Sequence, residues 1–206
     1  MKRPGTFDVV DQFERAVAEF TGAPYCVAVS TGTAAIFLSL MFRRMWWYTA
    51  SETVLTCPAR TYISVPMMVI HAGFKLSLID KSWVGSYHLD PVGIWDSTLR
   101  FRRGMYAGGL ECLSFHARKH LNIGEGGAIL CSEQSTADWL RRARNCGKGE
   151  PDFDPLAVTM LGWSLYMTPE KAARGLHILA YLPGDLPDQD PGYPDLRNAP
   201  VFKGMS

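Results

Sequence analysis

The chain of 206 residues is 47% apolar, enough to fill the core of one large domain. Its 21 basic and 20 acidic residues leave a net charge of +1, so no overall field draws it to nucleic acid or an anionic membrane. The apolar stretch over 27–42 is broken by "STGT" and too short to span a bilayer, "MKRPGTFDVV" lacks a secretory apolar run, and 5 scattered cysteines without a C-x-x-C pair argue against a disulfide framework or a metal site. A cytoplasmic protein with reduced core cysteines is expected.

In chain order, "FDVVDQFERAVAEF" sets Val10, Phe13, Val17 and Phe20 at helical spacing, and Gly22 supplies the stop. "YCVAVS" reads as a buried strand, "TG" as a turn, and "TAAIFLSLMFRRMWW" as a long helix starting at Thr33. The aromatic segment 45–48 at its end suits packing or a subunit contact better than a nucleic-acid platform, because contiguous rings wrap around a helix. "VLTCPARTY" and "KLSLID" are strand-like, separated by a short apolar helix that stops at Gly73, and "GIWD" is a short strand ending at Asp96. Strands follow over 110–115 and 128–131. Ser135 and Asp138 have capping-box spacing for a helix running to Gly147. Thr168 and Pro169 open a last helix that closes at Pro183–Gly184. The basic runs "RFRR" at 100–103 and "RRAR" at 141–144 read as a solvated face or as a helix C-terminus complementing its dipole. The alternation predicts an α/β fold with a mixed, mostly parallel sheet and helices on both faces. Residues 1–182 form the compact domain; 183–206, rich in Pro and Asp, form an extended tail lying on the body or on a partner.

Five features carry chemistry. Gly32 and Thr33 open a helix, whose unpaired N–H groups and dipole favour an anion such as phosphate. Asp96 ends a strand, Tyr62 lies in a loop after one, Ser114 supplies a hydroxyl after another, and Lys119 follows five residues later in "SFHARKHLNIGEGG". Pyridoxal 5′-phosphate requires these parts: an anion site for its phosphate, a carboxylate to keep its pyridine nitrogen protonated, a ring against its face, and a lysine to form an imine. His116 and His120 sit four apart but in a loop, where a surface or phosphate-adjacent role outweighs metal binding, and Glu125 reads as a turn residue.

"FERAVAEFTGAPYCVAVSTGTAAIFLSL", "CPARTYISVPMMVIHAGFKLSLID", "SFHARKHLNIGEGGAIL" and "MLGWSLYMTPEKAARGL" resemble, in order, the motifs of the DegT/DnrJ/EryC1/StrS family of pyridoxal phosphate-dependent aminotransferases that act on nucleotide-linked keto-sugars. The resemblance implies fold type I and ping-pong transamination from an amino acid, expected to be glutamate, to a keto-sugar nucleotide. It makes Lys119 the catalytic lysine that forms the internal aldimine, Asp96 the partner of the pyridine nitrogen, Tyr62 the stacking ring, and Gly32, Thr33 and Ser114 the phosphate cup. It also implies a homodimer with shared active sites, in which Ser164, standing where the family has asparagine, faces a neighbouring subunit's phosphate. Three departures stand out. Leu99 replaces a polar residue in "DSTL", Tyr166 stands in place of an arginine, and only fifteen residues separate Asp80 from Asp96 where relatives have several elements, while the usual small C-terminal domain is largely absent. Leu99, Ser164 and the shortened chain favour a second reading, a non-catalytic binding or partner subunit; a third is a sugar dehydratase, which Lys119 disfavours because dehydratases of the family carry histidine there.

Overall fold

The computed structural model describes residues 5–46, 52–149 and 155–204. Helix α1 (Asp8–Thr21) buries Val10, Phe13, Val17 and Phe20 as their spacing requires, and Gly22 ends it in the left-handed conformation at φ 77°. Then come β1 (Tyr25–Val29), α2 (Gly32–Trp46), β2 (Val54–Pro58), α3 (Ser64–His71), β3 (Lys75–Ile79), β4 (Tyr87–Leu89), β5 (Ile94–Asp96), β6 (Leu110–Ser114), β7 (Gly127–Cys131), α4 (Gln134–Ala143) and α5 (Pro169–Leu179). β4 is absent from the sequence reading; three residues, "YHL", are too few for a period to show.

The five-stranded sheet has the order β1-β7-β6-β5-β4, and β2 pairs with β3 separately. The sheet is mixed as expected, but not mostly parallel. Only β5–β6 and β2–β3 are parallel, while β1–β7, β6–β7 and β4–β5 run antiparallel. Two of the antiparallel pairs come from β7, which inserts between β1 and β6 in the opposite direction to both; the third follows from the short Asp80-to-Asp96 interval, where β4 and β5 are joined across residues 90–93, too tight a connection for a parallel pair. A bridge from Thr56 to Asp90 links β2 to the main sheet.

Strand alternation divides the core in two. Val27, Val29, Cys112 and Ile129 face one cluster together with buried residues of α2, α3 and α4. Cys26, Ala28, Leu113 and Leu130 face the other, covered by α1 and α5. Helices therefore flank both faces of the sheet. Gly175 lets α5 lie against α1, since a Cβ there would meet the Phe13 ring at 2.4 Å.

Several local expectations are corrected. α4 begins at Gln134, ahead of the supposed Ser135 cap, and Asp138 instead accepts from the Gln134 side-chain amide at 2.7 Å. That helix stops at Ala143, with Cys146 and Gly147 at positive φ forming the turn beyond it. α5 opens at Pro169 as expected but ends at Leu179, before Pro183. The "RRAR" run does close a helix, with Arg141 and Arg142 in the last turn of α4, but it is no solvated face: Arg144 is 3% exposed and bonds the Glu14 carboxylate and the Ala28 carbonyl, while Arg141 reaches the other Glu14 oxygen at 3.0 Å. Of "RFRR", Arg100 holds Asp188 through two hydrogen bonds at 2.9 and 2.6 Å, and Arg103 lies over the Phe20 ring. Four cysteines are buried and free, but Cys146 is exposed. Met45 and Trp46 are exposed at the end of α2; residues 47 and 48 lie outside the described residues. The tail docks on the body, burying Leu196 and Phe202 in short 3₁₀ turns. Among the described residues, no helix is long and apolar enough to cross a membrane.

Candidate active site

At the β1–α2 turn, the Thr31 hydroxyl accepts the Ala34 N–H at 2.9 Å, which leaves the first N–H groups of α2 facing outward. A Cβ on Gly32 would stand 2.8 Å from Ser114 Cβ, and one on Gly127 only 2.4 Å from the Thr31 carbonyl. Glycine at both positions is therefore what lets the helix start seat against the ends of β6 and β7. Ser114 lies beside this turn, and the Thr33 hydroxyl shares a 2.8 Å hydrogen bond with Ser64 from α3. The result is a helix N-terminus ringed by hydroxyls, a cradle shaped for a phosphate.

Asp96 ends β5 with 1% exposure. Its Oδ1 accepts the Thr98 N–H at 3.0 Å, and Tyr87 contacts it from β4. The Tyr87 hydroxyl also bonds Thr61 at 2.7 Å. Burial pushes the Tyr87 phenol and the neighbouring Cys57 thiol well up, with the Asp96 charge acting in the same direction, so both stay protonated. A buried carboxylate surrounded by neutral donors is suited to a cationic N–H such as a pyridinium.

Lys119 follows β6 in a turn closed by its own N–H to the His116 carbonyl at 2.8 Å. Desolvation holds its amine below the ordinary 10.5; Asp96 opposes that shift and the Arg118 charge adds to it. The neutral, nucleophilic form is thus more accessible than in a surface lysine.

A cavity of about 410 Å³ joins these features, lined by Gly32, Thr33, Tyr62, Asp96, Ser114 and Lys119 among others. Tyr62 is half exposed at its mouth, 6.0 Å from the ring of Tyr193. Leu99 gives an apolar wall where the resemblance has a polar residue. Six of the seven cofactor-site candidates therefore meet in one place. Ser164 does not. It forms an antiparallel bridge with Asn145, in a segment whose Leu165 carbonyl accepts the Ser30 N–H at 2.8 Å.

The two histidines part company: His116 lines the cavity, whereas His120 Nε2 pairs with the Pro187 carbonyl at 2.9 Å. Glu125 lines the cavity and is ion-paired with Lys171 rather than bonded to its turn. Sequence reasoning missed Ser64, which lines the cavity, and the pair Tyr87 and Thr61 behind it, of which Tyr87 contacts Asp96. It also missed the tail's contribution. Gln189, Asp190, Pro191 and Tyr193 form a strap across the cavity, held by Arg100–Asp188 and by the Gln189 N–H on the Leu99 carbonyl at 2.9 Å.

The fold is shared with several solved structures. The chain overlays AtS13 from Actinomadura melliaura with a TM-score of 0.72 at 20% identity, covering 86% of this chain and 61% of that one. 3-Amino-5-hydroxybenzoic acid synthase gives a TM-score of 0.70 at 21% identity, covering 85% and 56%. By sequence, the chain is 24% identical over 225 positions to the spore coat polysaccharide biosynthesis protein SpsC of Bacillus subtilis (strain 168), covering 84% of this chain and 57% of SpsC. It is 32% identical over 85 residues to the dTDP-3-amino-3,6-dideoxy-alpha-D-galactopyranose transaminase of Aneurinibacillus thermoaerophilus, covering 41% and 22%. The chain thus spans little more than half of SpsC. The model of one family matches residues 5–96 and 97–187, nearly the whole chain, and the protein belongs to that family, the DegT/DnrJ/EryC1/StrS aminotransferases.

Proposed function

We propose that the protein is a pyridoxal phosphate-dependent aminotransferase that moves an amino group from an amino acid, glutamate by expectation, to a keto-sugar nucleotide. The observation that carries this reading is the convergence of an amine with a lowered pKa, a buried carboxylate and a hydroxyl-ringed helix N-terminus on one cavity. The donor set fits the cofactor, and the cofactor, when bound, supplies an electron sink for charge developing on the substrate carbon. Gly32, Thr33 and Ser114 hold its phosphate. Asp96 keeps the pyridine nitrogen protonated. Tyr62 covers one side of the site, and Lys119 anchors the cofactor through Nζ and carries protons to and from the substrate carbon. In this reading residues 1–182 form the cofactor-binding unit, with the tail over 183–206 on its substrate side.

The homodimer with shared sites belongs to the same proposal. It is supported by exposed Met45 and Trp46 and by the position of Ser164 outside its own chain's cavity. A cytoplasmic location also belongs here, where five free cysteines stay reduced.

The test is the absorption spectrum of the purified protein with added pyridoxal phosphate, followed by borohydride reduction and peptide mapping. A yellow complex trapped on Lys119, bleached toward the amine form by glutamate before reduction, is the expected result. Trapping on Lys119 with no response to any amino donor favours the dehydratase reading. Absence of a site-specific adduct favours the non-catalytic subunit, for which Leu99 in the cavity wall is the supporting feature.

A further inference from the structure

The cavity holds one arginine, a permanent cation, that the proposed chemistry does not use. Asp96 has Thr98 and Tyr87, Glu125 has Lys171, and Asp190 accepts the Gly192 N–H at 3.2 Å. The guanidinium of Arg118, beside Lys119 in the lining, has no hydrogen bond or ion pair among the described residues. Its backbone, by contrast, is held on both sides. Its N–H donates to His116 Nδ1 at 3.3 Å, and its carbonyl accepts from the Gln189 side-chain amide of the strap at 3.2 Å. Arg118 shares the cavity lining with Lys119 and with Tyr193 of the strap, and its charge bears on both groups.

We propose that Arg118 is the anion-recognition residue of this cavity, taking an oxyanion group of the substrate in its fork of donors. A planar guanidinium with free N–H groups matches a carboxylate or a phosphate in bidentate fashion. Both occur in the substrates of the function proposed above, on which this inference rests: the carboxylate of the amino donor and the diphosphate of the sugar nucleotide. The strap then has a definite task. Gln189 fixes the backbone from which the guanidinium extends, so that less freedom is lost when the anion docks.

Calorimetric titration of the cofactor-free protein with glutarate, and separately with dTDP, tests this in the wild type, Arg118→Lys and Arg118→Gln. Charged hydrogen bonds of about 1.5–3 kcal/mol correspond to roughly a ten- to hundredfold weakening in Arg118→Gln, with partial retention in Arg118→Lys. Weakening for glutarate alone identifies the carboxylate of the donor; weakening for dTDP alone identifies the phosphate. Equal affinities of wild type and Arg118→Gln for both probes, or no binding of either by the wild type, overturn the proposal. Matching circular dichroism and melting curves show that the variants fold. Borohydride trapping on Lys119 in Arg118→Gln separates the two failures. Trapping with unchanged anion affinity sinks the Arg118 role alone, whereas Arg118-dependent binding without any trapping sinks the enzymatic reading and leaves the anion site.

Discussion

Lys119→Ala is expected to leave no covalently trapped cofactor and to lower transamination by about 10²- to 10⁴-fold, the loss typical of a positioned acid–base group. The loss follows from the double duty proposed for the side chain, in which the same Nζ would anchor the cofactor and carry the proton. Lys119→Arg should fare no better, because a guanidinium stays protonated and cannot attack an aldehyde. Specific trapping at another lysine in Lys119→Ala, with activity retained, would remove Lys119 from the chemistry.

The same residue imposes a stability cost with a definite sign. Its folded-state pKa lies below the unfolded value of 10.5, so between those two values the unfolded chain binds more protons. The burial penalty is fully present below the folded pKa and fades as pH rises to 10.5. Cofactor-free Lys119→Met is therefore expected to melt higher than the wild type at neutral pH, the gap closing as pH approaches 10.5. A gap that widens with pH would contradict the desolvation account.

The largest effect on folding is expected at Glu14. Its carboxylate is 2% exposed and receives the Ala28 N–H at 2.9 Å, Arg144, and Arg141 at 3.0 and 3.2 Å, tying α1 to β1 and to the end of α4. Glu14→Gln keeps the shape but strands the buried Arg144 charge, at a cost of about 3–5 kcal/mol. Urea unfolding should show a lower midpoint with an unchanged slope. Removing both charges in Glu14→Gln/Arg144→Met should recover much of the loss, since an apolar replacement of a buried pair is often near neutral. A single-variant loss below about 1 kcal/mol would mean that water already screens the cluster.

Arg144 also shows where sequence reading fails. In "RRAR" nothing local distinguishes it from Arg142; its burial depends on a carboxylate 130 residues earlier. The helical spacing of α1, the glycine turn before α2 and the "SFHARKHLNIGEGG" string were legible because their determinants lie within a few residues of one another. The surroundings of Asp96 were not. Tyr87, Thr61 and Cys57 come from β4, the loop after β2, and β2, and only the completed sheet brings them together. The mostly parallel sheet was misjudged for a related reason: alternation of helices and strands favours parallel crossovers, but the direction in which β7 enters between β1 and β6 is settled only in the assembled sheet, and the connection across 90–93 is too short for a crossover. The tail's composition indicated an extended path, yet only pairs such as Arg100–Asp188, 88 residues apart, decide that it crosses the cavity.

The cavity walls do not share one scaffold. Asp96, Ser114 and Lys119 stand on or just beyond β5 and β6, in the continuous ladder of the main sheet. Tyr62 and Ser64 follow β2, whose backbone joins that sheet through the Thr56 N–H to the Asp90 carbonyl at 3.0 Å. One such bond contributes on the order of 1 kcal/mol, far less than a strand ladder. The seam between the two sheets is therefore closed by side chains rather than by a ladder: Thr61 bonds Tyr87 of β4 at 2.7 Å, Ser64 bonds Thr33 of α2 at 2.8 Å, and residues of both sheets share one buried apolar cluster.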